Sequence, residues 1–287
     1  METANLTGVT LEYEVRGSGE PVLLIGGAHI AAGYLPLFSQ PGLADRYRLI
    51  RYHKRGLAGS THTPPPVSIA DHAADASRLL KHLGVDRAHV VGHSSGGAIA
   101  LQLALDRPET VHSLVLLEPA MLWVPGAEAF MGKAGPSVDA YQKGDHEAAV
   151  AIFLSAVGGA DWNTCRAMIE RHVPGGVAQA IKDADTFFNI ELPAVAAWRI
   201  TSDQAATIAQ PTLCVVGGRT EPMFRDAANL LLQWLPHVEE FMVPQLGHLL
   251  HMEDPEPVAR GMTDFFVRHR LSGETVGTAI RQSKAPA

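Results

Sequence analysis

Six short runs are rich in Val, Ile and Leu and are bounded by Gly, Pro or Asp: residues 22–27, 47–53, 88–93, 113–118, 211–218 and 238–243. Runs without a polar face suit strands covered on both sides in a parallel sheet. Helical spacing separates them. Over 68–83, Ile69, Ala73, Ala76, Leu80 and Leu83 fall near one face, and Ser68 with Asp71 has the spacing of a capping box. Residues 95–105 are rich in Ala and Leu, 223–235 carry Leu230, Leu231 and Leu232, and Asp254-Pro255 reads as the cap and first turn of a helix reaching about Arg270. Strands alternating with helices predict an α/β fold with a doubly wound, mostly parallel sheet. The rhythm breaks over 119–203, where helices are expected near 138–142, 146–156, 161–172 and 177–188. That stretch is far too long for a loop. It reads as a helical cap inserted into a core made of residues 1–118 and 204–271, followed by a polar, frayed tail at 272–287.

Composition changes this picture only by exclusion. The 287 residues are 46% hydrophobic and 18% charged, with a net charge of −7 and no run of Lys or Arg. Nucleic-acid binding and attachment to an anionic membrane surface are therefore not expected. No apolar run approaches the roughly 18 residues of a membrane span, and the first residues lack the basic and apolar regions of a signal peptide. Two cysteines, Cys165 and Cys214, exclude a disulfide framework and suit reduced thiols in a cytoplasmic protein.

The first chemical signal is Gly92-His93-Ser94-Ser95-Gly96, a Gly-x-Ser-x-Gly sequence between an apolar strand and an Ala/Leu helix. A tight strand-to-helix turn forces its central residue into a strained backbone state and needs small neighbours, which Gly92 and Gly96 supply. Such a turn lifts the Ser94 hydroxyl into a cleft and aims the Ser95 N–H at a developing oxyanion. With the loop Arg55-Gly56-Leu57-Ala58-Gly59-Ser60, the run 211–218, and Gly247-His248 before Glu253-Asp254-Pro255-Glu256, the chain resembles the α/β-hydrolase family over almost its whole length. The likeness implies the fold with more force than it implies the substrate.

A serine nucleophile needs an imidazole to take its proton. Of 14 histidines, His248 stands after the last strand, where the family order places the base. The base in turn needs a carboxylate. Most family members carry an Asp shortly after the strand that corresponds to 211–218, but the matching position here is Thr220. Two acids remain open: Glu118, at the end of the strand beside the nucleophile strand, and Glu221, one residue past Thr220. Glu118 is favoured. Some branches of the family use that position, among them ring-opening lactonases of zearalenone type, which this chain resembles in its strand-Glu-Pro junction and following helices.

In the family's oxyanion position stands Leu24-Ile25-Gly26-Gly27-Ala28-His29. The expected donors are the backbone N–H groups of Ser95 and of Ala28 or Gly27. Substrate contacts are assigned to His29, Met121, Trp123, Phe188 and His251, in a mostly apolar cleft without an Arg cluster for phosphate or dicarboxylate. No metal-binding pattern and no cofactor motif is present. The reading is a cofactor-independent serine hydrolase of a small hydrophobic ester or lactone, with a homodimer left open. Its rivals are a C–C bond hydrolase of diketones, a perhydrolase, and a hydrolase-fold receptor with little turnover.

Overall fold

The computed structural model describes residues 1–271, so the expected tail at 272–287 lies outside the described residues. Eight strands form one sheet: β1 (Glu2–Leu6), β2 (Val9–Arg16), β3 (Glu20–Ile25), β4 (Tyr47–Tyr52), β5 (Ala88–His93), β6 (Val111–Leu117), β7 (Thr212–Gly217) and β8 (Val238–Val243). Their order across the sheet is β1-β2-β4-β3-β5-β6-β7-β8. From β4 to β8 all neighbours are parallel, whereas β1–β2 and β2–β4 are antiparallel. These runs became the parallel strands; every residue of β5 and β7 is buried, whereas β8, at the sheet edge, has only Val243 buried.

The β1–β2 hairpin is an addition to the expected strands. Its two-residue turn joins Leu6 to Val9 through Gly8, whose φ of +81° is easy only for glycine. Val9, Leu11 and Tyr13 point into the core and the residues between them face outward, the alternation of a strand covered on one face.

The helices flanking the sheet start where their sequences say. The Ile69–His82 helix is capped by Ser68, whose Oγ accepts from the Asp71 N–H at 3.1 Å while Asp71 accepts from the Ser68 N–H at 2.8 Å. Pro255–Arg268 is capped by the Asp254 side chain. Between β6 and β7 lies a helical layer that includes Ala127–Ala134, Pro136–Gln142, His146–Gly158, Trp162–His172, Gly176–Lys182 and Leu192–Ala197. The helix expected at 177–188 ends instead at Lys182, and Phe187–Glu191 forms a π-helical turn leading into Leu192–Ala197. Among the described residues no helix is long and apolar enough to cross a membrane.

Candidate active site

Parallel strands bring their carboxyl ends to one edge, and the site is built there. At the end of β5 the chain turns directly into the Ser95–Asp106 helix, with Ser94 at φ 54°, ψ −119°. A Cβ on Gly92 would overlap the Gly96 carbonyl, and one on Gly96 would overlap the Ile25 carbonyl at the end of β3. Both glycines are therefore dictated by backbone contact. Among the described residues four non-glycines have positive φ, and three stand around this edge: His29, Ser94 and Glu118. Strain of this kind persists only where surrounding contacts over-determine it. Here the Ser94 N–H donates to the Leu117 carbonyl at 3.0 Å and the Glu118 N–H to the Val215 carbonyl at 3.1 Å.

Glu118 is fully buried at the end of β6. Its Oε1 accepts from the Gly217 N–H at 2.7 Å, and its Oε2 accepts from the Thr220 hydroxyl at 2.6 Å and from His248 Nδ1 at 2.9 Å. Burial raises the carboxyl's pKa, and the donors Thr220 and Gly217 oppose that rise. Three donors converging on two oxygens is the environment of an acceptor-only carboxylate. Burial also lowers the His248 pKa well below its ordinary value, so the ring is neutral at pH 7. With Nδ1 committed to Glu118, Nε2 is the nitrogen left to act as a base. Phe224 stacks on the ring at 3.6 Å between centroids, and His93 Nε2 donates to the His248 carbonyl at 2.9 Å, tying the base's loop to the residue before the nucleophile. Glu221 is elsewhere: both its oxygens take hydrogen bonds from Lys133 Nζ, at 2.9 and 2.8 Å.

Ser94, Ser95 and Ala28 share the wall of one cavity, which Phe130, Phe153, Phe187 and Phe224 also line. Gly27 lies directly against the turn: a Cβ there would come within 2.6 Å of His93 Nδ1 and 3.3 Å of Ser94 Cβ. The enclosed space is about 40 Å³, room for a few waters at about 10–15 Å³ each. A larger cleft of about 530 Å³ lies on the far side of the 187–197 segment, lined among others by Asn189, Ile190, Ala194 and Ala197. The two cavities share no lining residue, so one helical segment forms a wall of each.

The five residues assigned to substrate stand outside this wall. His29 is buried and stacks on Phe187 at 4.1 Å. Phe188 turns to Tyr141, stacking at 4.5 Å, while its neighbour Phe187 lines the cavity. Met121 is part of the core. Trp123 stacks on Trp234. His251 packs between His93 and Tyr34.

A profile of the alpha/beta hydrolase fold matches residues 21–255. The chain belongs to the α/β-hydrolase fold family. Among curated relatives, a putative carbamate hydrolase, RutD, of Azorhizobium caulinodans is 41% identical over 110 residues, which are 37% of this chain and 40% of that protein. A fluoroacetate dehalogenase of a Burkholderia species is 34% identical over 140 residues, 44% of this chain and 43% of that protein. The chain thus spans about two fifths of the length of these relatives. Among solved structures, Est816, described as an N-acyl homoserine lactone degrading enzyme, is 26% identical with a TM-score of 0.71, covering 92% of this chain and 100% of its own. An alpha/beta hydrolase from Sphaerobacter thermophilus is 25% identical with a TM-score of 0.69 at the same coverage.

Within this α/β-hydrolase, two charged residues had no signal in the linear sequence. Lys54, after β4, forms an ion pair with Glu191 of the π turn and also donates to Ser95 Oγ at 3.2 Å. Both side chains are 2% exposed. They lie far apart along the chain, and only the fold brings them together.

Proposed function

We propose that the protein is a serine hydrolase of a carboxylic ester or lactone with a hydrophobic body, acting through an acyl-enzyme. The observation that carries this reading is the strained Ser94 in a cavity wall shared with Phe224, whose ring stacks on an imidazole with its Nδ1 hydrogen-bonded to the buried Glu118. Ser94 Oγ attacks the substrate carbonyl as His248 Nε2 takes its proton. The tetrahedral oxyanion is received by the backbone N–H of Ser95 and that of Ala28 or Gly27. His248 returns the proton to the departing alkoxide, and a water deprotonated by the same ring then releases the acid. Glu118 fixes the tautomer of His248 and stabilises the imidazolium. The aromatic wall and the likeness to a lactone-degrading structure support an apolar ester or lactone.

In this reading the helical layer of residues 119–203 is the cap over the sheet edge. The test is turnover of linear esters, small and macrocyclic lactones, carbamates and ring-cleavage diketones. Esters or lactones are expected to be hydrolysed by the wild type, with a loss of about 10³-fold or more in Ser94→Ala. Turnover confined to carbamates or diketones, or tight ligand binding without turnover, would overturn the reading.

A further inference from the structure

Lys54 and Glu191 take no part in the chemistry above, yet both are withdrawn from water. Desolvating two ions costs several kcal/mol each, and a well-packed apolar pair in the same space is often no less stable. Stability alone therefore gives no account of them. Two further observations point into the cavity. Glu191 is the charged residue in the wall of the Ser94 cavity, among the described residues. Apart from Lys54, its carboxylate oxygens have no hydrogen-bond partner among the described residues.

Position adds to this. Lys54 Nζ reaches both Glu191 and Ser95 Oγ, so the carboxylate stands one ammonium group away from the residue that follows the nucleophile. A buried acceptor with spare capacity in an apolar cavity is costly until a donor meets it. Because Lys54 balances the charge of Glu191, the pair is complementary to a neutral O–H or N–H and not to a cation. The residue sits on the last position of a π turn, a form of helix frequent at functional sites. We infer that Glu191, oriented by Lys54, is a specificity-determining residue that accepts a hydrogen bond from a hydroxyl or amide N–H carried close to the scissile carbonyl. This rests on the acyl-transfer reading of Ser94.

The experiment compares ethyl butanoate with its 2-hydroxy, 3-hydroxy and 2-amino analogues, and γ-butyrolactone with its α-hydroxy and α-acetamido analogues, by pH-stat. In the wild type at least one neutral donor-bearing analogue on each scaffold is favoured by about ten-fold or more in kcat/KM, since a site built to hydrogen-bond a substrate group discriminates strongly against its absence. Replacing the pair as a unit, Lys54→Met with Glu191→Leu, leaves no lone buried charge and brings that ratio to near one. Glu191→Gln, which keeps an acceptor of similar shape without the charge, lowers the ratio several-fold through KM. It decides the matter if the double variant does not fold. A wild-type ratio near one, a preference for the 2-amino ester over the hydroxy esters, or an unchanged ratio in Glu191→Gln would overturn the inference. Hydrolysis of every ester at similar rates would sink this inference alone. No hydrolysis of any would sink the acyl-transfer reading beneath it.

Discussion

Glu118 meets His248 from the β6 side, and Thr220, the position that the family resemblance matches to the usual acid, stands on the other side. The two positions cooperate: Thr220 donates to the same Oε2 that receives His248 Nδ1. The Thr220 hydroxyl thus supports the Glu118 carboxylate, while Glu221 is paired with Lys133. Glu118→Ala is expected to lower kcat/KM about 10³- to 10⁴-fold, the size of effect seen when a triad loses its acid. Glu221→Ala, which removes a surface pair, should change it less than about three-fold. Steady-state kinetics on any accepted ester checks both, and the reverse order of effects would contradict the assignment. Proton position, not contact area, is at stake, so the two variants should differ far more in kcat/KM than in melting temperature.

At the scale of elements, the parallel strands were legible because burial on both faces leaves a continuous apolar run, as in β5 and β7. The nucleophile turn was legible because backbone contact admits only glycine at Gly92 and Gly96. The β1–β2 hairpin gives a weaker signal: one covered face leaves alternating Val9, Leu11 and Tyr13 among polar residues. The π turn was not legible at all, since Phe187 and Phe188 are equivalent to any periodicity and a one-residue shift decides which faces the cavity. Nor was the Lys54–Glu191 pair, which exists only through tertiary packing. Two variants grade these local rules. Ser68→Ala removes one cap and should cost about 1 kcal/mol. Gly96→Ala drives a Cβ into the β3 carbonyl and should cost more than about 3 kcal/mol, as overpacking and strain add. Thermal melting checks this, and equal shifts for the two would contradict the contact argument.

Across the whole molecule, buried histidines set a limit on acid stability. Burial holds His29, His72 and His89 near 3, against an ordinary 6.5, and His93 and His251 well below it, with like charge from His248 adding to the effect. These rings stay neutral in the fold and become protonated in the unfolded chain once the pH drops below 6.5. The unfolded state then binds more protons, so stability rises with pH. Their contribution is fully present above 6.5 and is lost progressively toward 3, each group giving up to about 1.4 kcal/mol per pH unit. Between pH 6.5 and about 5 unfolded carboxylates are still ionised, so the loss in that window comes from the histidines, offset in part by Glu118, whose carboxyl burial raises and which therefore acts with the opposite sign. Urea midpoints are expected to fall steeply from pH 7 to pH 5, with proton uptake on unfolding. A flat profile, or one rising toward acid, would contradict the buried neutral rings.

The central claim concerns one hydroxyl made nucleophilic by one imidazole. Its most direct measurement is labelling by an alkyl fluorophosphonate, followed by intact-mass and peptide mass spectrometry. The account predicts one phosphonyl group per chain, on Ser94, with labelling slowed about 10³-fold or more in His248→Asn. A label on another residue, or none on an enzyme that still turns over esters, would contradict it.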